Sequence, residues 1–297
     1  MSTTAISNVH TQVNSYLQSP NTVALAEKTK TLYRAVLHKK LIPFCEINDI
    51  TTLDDDFKTH IGAYSKYLQA SGLSAHSTQQ YLTITKIFMT AIGAPIKFTF
   101  KIPRPAKQAF DLKHQKRWFN DRDIARCKTY PFPRNHIRNH VLVKLMVETG
   151  ARVNEIANIK VGDIQLEKGT ILLGVSKTIP RPVFFSQETG IYLGQYLAAK
   201  FPDPAMDTFK RIFPGSNQIW RIIIEMLTDL GMKSHGDGRG PHTFRHFTAT
   251  DLHFVRGMDL TDVAFLLGDT PETISTRYLH PNAEMLQSRM KKASGWS

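Results

Sequence analysis

The stretch His242–His280, HTFRHFTATDLHFVRGMDLTDVAFLLGDTPETISTRYLH, gathers cations suited to phosphate, an imidazole and a phenolic hydroxyl within one short segment. His242 and Arg245 are three residues apart, which on a helix sets both side chains on one face, about a turn from each other. A guanidinium fork and an imidazole so placed suit one anionic oxygen. Downstream, Asp259 and Asp262 make a capped helix start, Val263, Leu266 and Leu267 give it an apolar face, and Gly268 ends it. Thr270-Pro271-Glu272 opens another helix with a hydroxyl cap, a proline at the first position and a carboxylate in the first turn. Tyr278 follows about two turns later, on the face of Ile274.

Upstream, HIRNHVLVKLMVETGARVNEIANIK (136–160) predicts a helix with Val141, Leu142, Leu145 and Met146 as its core face, ended by Gly150. Ala151 to Glu155 then reopens a helix that turns Ile156 and Ile159 inward. Arg152 sits at the sharp glycine-initiated turn, where a helix N-terminus adds positive potential and a phosphate is within reach. Glu155 is expected to orient Arg152 or cap the helix. TILLGVSKTIPRPVFF (170–185) holds two β-rich runs around a Lys-Thr-Ile-Pro turn, and with the Glu167-Lys168-Gly169 turn it predicts a small antiparallel sheet. Asn120 and Asp123 form a cap-like pair ahead of one further helix, and segments 187–201 and 216–232 supply two more. GMKSHGDGRG (231–240) lacks the strand-loop-helix setting of a nucleotide-binding loop and reads as a flexible lead into the His242 helix.

From about Thr22 to Ala91 the reading is helical throughout. Leu25, Leu32, Val36, Leu37 and Leu41 recur near helical spacing until Pro43 breaks the run. Phe57, Ile61, Tyr64, Tyr67 and Leu68 form a stripe closed by Gly72, and Ser74-Ala-His-Ser77 leads into a helix carrying Tyr81, Ile84, Ile87 and Phe88. A composition shift follows: KFTFKIPRPAKQAFDLKHQKRWF (97–119) combines Pro103 and Pro105 with repeated cations and no periodicity, an extended basic linker. The organisation expected is a polar tail over 1–20, a helical bundle over 21–100, a linker over 101–116 and a second domain over 117–297. A length of 297 and 41% hydrophobic residues suffice for two packed cores.

Thirty-eight Lys and Arg against 25 Asp and Glu, net +13, point to a polyanionic partner. Cys45 and Cys127 match no metal-ligand or redox spacing, so they read as packing residues in a reducing compartment, and no metal or cofactor is expected. No apolar run approaches the roughly 20 residues a bilayer span needs, and MSTTAISNVHTQVN lacks the regions of a signal peptide. A soluble, cytoplasmic, nucleoid-associated protein is expected.

These residues carry a resemblance. HTFRHFTAT resembles the H-x-L-R-H-x-x-A-T of the tyrosine recombinases, also called phage integrases, and LLGDTPETISTRYLH resembles their L-L-G-H…T…Y-x-H. Gly257-Met258-Asp259 and the nine-residue gap from position 269 to Tyr278 also match that family, and ETGARVNEIANIKVGDI is similar to its T-G-x-R-x-x-E-L…L…D-I. Over the N-terminal half the likeness is weaker, a pattern like LS…ST…Y…K.F. The resemblance implies a mostly α fold: a core-binding helical bundle, then a mainly helical catalytic domain with a small antiparallel sheet.

It also implies roles. Tyr278 is the nucleophile that forms a 3′-phosphotyrosyl link, Arg152 and Arg245 hold the non-bridging oxygens, Lys177 is the general acid on the leaving 5′-oxygen, and His242 assists proton transfer. Lys160, Lys168 and Arg181 lie close to Lys177 in sequence and compete with it for that assignment. His246 and His280 read as supporting residues. Lys30, Arg34 and Lys86 in the bundle and Lys101, Arg104 and Lys107 in the linker are expected on the phosphates of double-stranded DNA. The segment MLQSRMKKAS (285–294), with Met285, Leu286 and Met290 on one side, is expected to pack into a neighbouring subunit of a tetramer assembled on two sites, with an accessory activating protein as a further partner.

Asp269 departs from the pattern, standing where the family usually has His or Trp. A carboxylate repels a phosphate and, when ionised, has no hydrogen to donate. Three roles stay open for it: a protonated acid, a brace for Arg245 or His242, or the mark of a weakened site. The brace is the expectation. The function expected is site-specific DNA recombination. Two other readings stay open beside it, a DNA-binding protein on this scaffold with weak or partner-dependent catalysis and relaxation of supercoils in the manner of a type IB topoisomerase.

Overall fold

The computed structural model describes residues 3–54, 56–96, 118–174, 180–234 and 237–294, and the chain forms two compact units, Met1–Gln108 and Ala109–Ser297. The first unit is helical over its described residues: α1 (Thr3–Gln18), α2 (Pro20–Val23), α3 (Glu27–Val36), α4 (Ile42–Ile47), α5 (Phe57–Ala70) and α6 (Ala75–Ala91). Val13, Leu37, Leu41, Phe44, Tyr64, Leu68 and Phe88 share its core, with the Phe44 ring 5.0 Å from that of Tyr64. Gly72 follows α5 at φ 77°, and the Ser74 hydroxyl accepts from the Ser77 N–H at the start of α6.

Three expectations for this unit are corrected. Residues 1–20 are not a polar tail: α1 buries Val9, Val13 and Tyr16, spaced four and three apart on one helical stripe. Gln12 fixes that helix by exchanging two hydrogen bonds with the Leu53 backbone. Pro43 does not break the chain's helical course. A wide π-type turn at Leu37–Leu41 joins α3 to α4, and the proline falls in the first turn of α4, where a missing N–H costs little. Ile87 is 43% exposed, and Thr78 and Thr85 take core positions on α6 instead.

The second unit is organised around α8 (His136–Thr149). It follows α7 (Asp121–Lys128), whose Asn120 and Asp123 form the predicted reciprocal cap. Residues 139 to 147 of α8 are all buried, more than the one face expected. A helix covered on every side lies at the centre of its layer, and its one buried lysine, Lys144, pairs with Glu188 at 2.6 Å. The chain continues through α9 (Val153–Ala157) into an antiparallel sheet, β1 (Ile164–Gln165), β2 (Thr170–Leu173) and β3 (Arg181–Phe184), in the order β1-β2-β3. Ile171 faces Val183 and Leu173 faces Arg181, so those four side chains turn inward while Leu172 and Phe184 stay exposed. Helices α10 (Gln187–Lys200), α11 (Pro204–Asp207) and α12 (Ser216–Asp229) complete this part.

The remaining helices are α13 (Pro241–Thr250), α14 (Leu260–Leu267), α15 (Pro271–Thr273) and α16 (Ala283–Ser294). The lead into α13 is tied down by Asp237, which accepts from the Ser234 and Arg239 N–H groups and from Lys233. That carboxyl is held at about 2, burial being outweighed by these bonds. Thr248 anchors α13 to α8 through a 2.7 Å bond to the Val147 carbonyl. Ala249, Val263, Ala264, Leu267 and Ile274 form a small separate core against which Tyr278 packs. Helix α16 lies against its own domain, the Arg289 guanidinium over the Phe254 ring at 4.9 Å. No helix is long and apolar enough to cross a membrane, and no group of three or more His, Cys, Asp or Glu suited to a metal occurs, both among the described residues.

Candidate active site

Gly150 ends α8 in the left-handed region at φ 58°, and the turn delivers Arg152 to the N-cap of α9. A Cβ at Gly150 would stand 2.5 Å from Leu267, so the close approach of α8 and α14 requires glycine. The Glu155 carboxylate accepts from the Arg152 N–H at 2.8 Å and from Arg152 Nη1 at 3.2 Å. Arg181, turned inward from β3, grips the same carboxylate at 3.0 and 2.9 Å and gives its Nε–H to the Leu266 carbonyl. Burial alone would raise the Glu155 pKa; hydrogen bonds from Arg181 and from the Arg152 backbone win, and it is lowered.

Arg245 comes from the second turn of α13 and is 1% exposed. It donates to the Gly150 carbonyl at 2.8 Å, the Leu267 carbonyl at 2.6 Å and Asp269 Oδ2 at 2.5 Å. Burial pushes its pKa down and Arg152 pushes the same way, while Tyr278 and Asp269 oppose them. Asp269 Oδ2 also accepts from Arg152 Nη2 at 2.7 Å. The carboxylate therefore joins both arginines; the brace expectation named Arg245 or His242, and the structure shows Arg245 together with Arg152, which was not foreseen.

Tyr278 is the last residue of a wide π-type turn, Ile274–Tyr278, that continues α15. The Arg245 guanidinium lies 5.0 Å from its ring centroid and the His246 ring 4.8 Å. Thr250 Oγ1 donates to the Tyr278 carbonyl at 3.3 Å and accepts from the His280 N–H at 3.1 Å, which fixes the backbone on both sides of Leu279. Trp118 stacks on His280 at 3.7 Å between centroids, and His280 Nε2 lies 3.0 Å from His246 Nδ1. His242, in the first turn of α13, keeps an exposed surface, yet crowding by the surrounding chain lowers its pKa and the Arg245 and Arg152 cations lower it further. The neutral, proton-accepting imidazole is therefore favoured there.

Residues 124–285, more than half of the chain, match the phage integrase family. The chain belongs to the phage integrase family. Tyrosine recombinase XerA of Pyrococcus furiosus is 30% identical over 173 residues, 54% of this chain and 57% of the relative. Tyrosine recombinase XerC of Lactobacillus delbrueckii subsp. bulgaricus is 32% identical over 158 residues, 50% and 52% respectively. The chain spans about half the length of the curated relatives it matches. Among solved structures, the Tn1549 transposon integrase in complex with transposon right-end DNA aligns with a TM-score of 0.68 at 13% identity, covering 97% of this chain and 99% of that one. XerH recombinase bound to a palindromic difH substrate aligns at 0.69 and 19% identity, covering 90% and 80%. At such identities the likeness shows the fold, a helical N-terminal domain and a mainly helical catalytic domain with a small sheet.

In this integrase-family chain, Arg152, Arg245, His242, Asp269 and Tyr278 converge from four separate segments. Lys177 lies outside the described residues, as do Lys101, Arg104 and Lys107. Lys30 is paired with Glu27 at 3.0 Å, whereas Arg34 and Lys86 are exposed. Sequence reasoning missed the buried Arg181, which was weighed only as a rival for Lys177. The signal that marks it is alternation: in Arg-Pro-Val-Phe the arginine shares its face with the buried Val183. Glu155 holds Arg152 and caps its helix as expected, and in addition it binds the buried Arg181.

Proposed function

We propose that this chain is a site-specific DNA recombinase that cuts and rejoins strands through a covalent 3′-phosphotyrosyl intermediate. The observation that carries the reading is the position of the Tyr278 ring 5.0 Å beneath the Arg245 guanidinium, with Arg245 and Arg152 converging on one oxygen atom. Opening a phosphodiester needs a nucleophile, cations on the non-bridging oxygens and a proton for the leaving group. The Tyr278 hydroxyl attacks phosphorus, the bond to the 5′-oxygen breaks, and that oxygen takes a proton. Lys177 supplies the proton by resemblance, and the neutral His242 imidazole takes up or passes on the proton lost by tyrosine. The phosphotyrosyl ester keeps the energy of the broken bond, so a 5′-hydroxyl from another strand reverses the step without ATP.

The partner is double-stranded DNA carrying a specific site. Contacts by Arg34, Lys86 and the linker cations Lys101, Arg104 and Lys107 place the chain on the backbone, where affinity falls steeply with salt. Lys30 joins them by releasing Glu27. The working assembly is a tetramer on two sites, with α16 leaving its own domain for a neighbour and an accessory protein as activator. Integration or excision of a mobile element, or resolution of a replicon, in the cytoplasm is the setting this implies.

The test is a denaturing gel of wild type and Tyr278→Phe with a nicked duplex bearing a selected binding site, since the nick releases a fragment and traps the adduct. A slow protein-DNA band with wild type alone is expected. Tight binding with no band from either protein would sink the enzyme reading.

A further inference from the structure

Both guanidinium groups of the site end on the same atom. Arg152 directs Nη1 to Glu155 and the Gly268 carbonyl, and Nη2 to that carbonyl and to Asp269 Oδ2. Arg245 directs Nη1 to the Gly150 carbonyl and Nη2 to the Leu267 carbonyl and Asp269 Oδ2. Three of these acceptors are main-chain carbonyls at helix ends, which hold the forks in place. Asp269 Oδ2 is the one side-chain atom where the two forks meet, at 2.7 and 2.5 Å. Because guanidinium donors lie in fixed planes, a phosphate oxygen bridged by both Nη2 groups has to occupy that same point.

We propose that Asp269 is an internal competitor for the scissile phosphate: its carboxylate fills the oxyanion seat of the free protein, and strand cleavage begins only when a phosphodiester takes its place. The recombinase reading above names the incoming anion; the seat itself rests on the hydrogen bonds alone. Charge agrees with exchange. Arg152, Arg181 and Arg245 against Glu155 and Asp269 leave the cluster one positive charge, and displacing Asp269 leaves two. Asp269 is 16% exposed, between Arg152 at 25% and Arg245 at 1%. Among the described residues its carboxylate bonds only the two arginines, whereas Arg152 is also tied to Glu155 and the Gly268 carbonyl and Arg245 to the Gly150 and Leu267 carbonyls. The Asp269 backbone N–H is held by the Ala264 carbonyl at 3.0 Å, so rotation about its Cα–Cβ bond moves the carboxylate without moving the chain. A permanent brace would have the opposite consequence, because its loss would slow cleavage.

The first measurement is thermal unfolding of wild type, Asp269→Glu and Asp269→Asn in sulfate against chloride at equal ionic strength, with Asp269→Asn/Arg152→Ala as the control for general salting effects. Asp269→Asn is expected to gain sulfate-specific stabilisation that the two carboxylate proteins and the double variant lack. If Asp269→Asn folds poorly, the same salts test recovery of its folding, and failure of sulfate to restore it overturns the proposal. The second measurement is single-turnover cleavage of the nicked duplex at saturating DNA, where Asp269→Asn is expected to be faster by about tenfold, ~1.4 kcal/mol of barrier. Absence of the sulfate gain overturns the seat, whatever happens to cleavage. A sulfate gain with slower cleavage overturns the competitor role. A sulfate gain with no cleavage by any form, wild type included, keeps the seat and defeats the recombinase reading.

Discussion

Arg181 and Glu155 meet as a doubly hydrogen-bonded pair at 3.0 and 2.9 Å, with side-chain exposures of 3% and 0%. The same carboxylate holds Arg152, so one buried ion pair on the sheet side of the site sets the position of that arginine. Arg181→Met leaves Glu155 buried without its main partner and is expected to cost about 3–5 kcal/mol in urea unfolding. An unfolding midpoint equal to wild type would refute the structural role.

The pH dependence of stability follows from the same pair. The folded Glu155 pKa is lowered, so its stabilisation is fully present above the unfolded glutamate value of about 4.3 and is lost as pH falls through the folded value. Wild type is expected to lose more stability than Glu155→Gln between neutral pH and the acid side of that window. Parallel stability curves for the two proteins would contradict this.

Gly268 ends α14 at φ 64°, and a Cβ there would stand 2.6 Å from Arg181 Nη1 and 2.7 Å from Cζ. Arg181 is pinned by its three bonds and cannot swing aside cheaply. Left-handed strain adds about 1–2 kcal/mol. Gly268→Ala is therefore expected to lower stability by more than that strain and to slow cleavage, because the Gly268 carbonyl also holds Arg152. Calorimetry and the nicked-duplex assay read the two effects separately.

Thr250 Oγ1 joins the Tyr278 carbonyl to the His280 N–H. Thr250→Val keeps the shape and removes both bonds, at about 1 kcal/mol each. Slower formation of the covalent adduct is expected, with DNA affinity in a gel-shift assay unchanged. An unchanged adduct rate would show that packing alone holds the tyrosine.

Burial pushes both thiols, Cys45 and Cys127, up to about 12, with Glu46 and Asp123 adding to the effect. The thiolate is the reactive form, so neither cysteine is expected to react with a disulfide reagent at mild alkaline pH until the protein unfolds. Rapid labelling of the native protein would contradict the burial of these side chains.

Much of the second domain could be read before the fold was known. Gly150, Gly268, Asn120 with Asp123 and Thr270 with Pro271 mark helix ends through bonds that span a few residues, and the sheet follows from alternation across a turn. The N-terminal unit shows where local reading fails. Pro43 looked like a break because the widened turn that accommodates it depends on packing, and Val9, Val13 and Tyr16 were hidden in a polar stretch whose stripe has meaning only against the helices it meets.

The sequence by itself determined the family, the residue types of the chemistry and most element ends of the second domain, because caps, glycine turns and periodic apolar faces act over short separations. Tertiary structure alone decided that Asp269 joins Arg152 to Arg245 across separations of 117 and 24 residues, and that Arg181 reaches Glu155 across 26. Charge pairing and burial depend on distance in space, and that distance exists only once α8, α13, α14 and β3 are packed together.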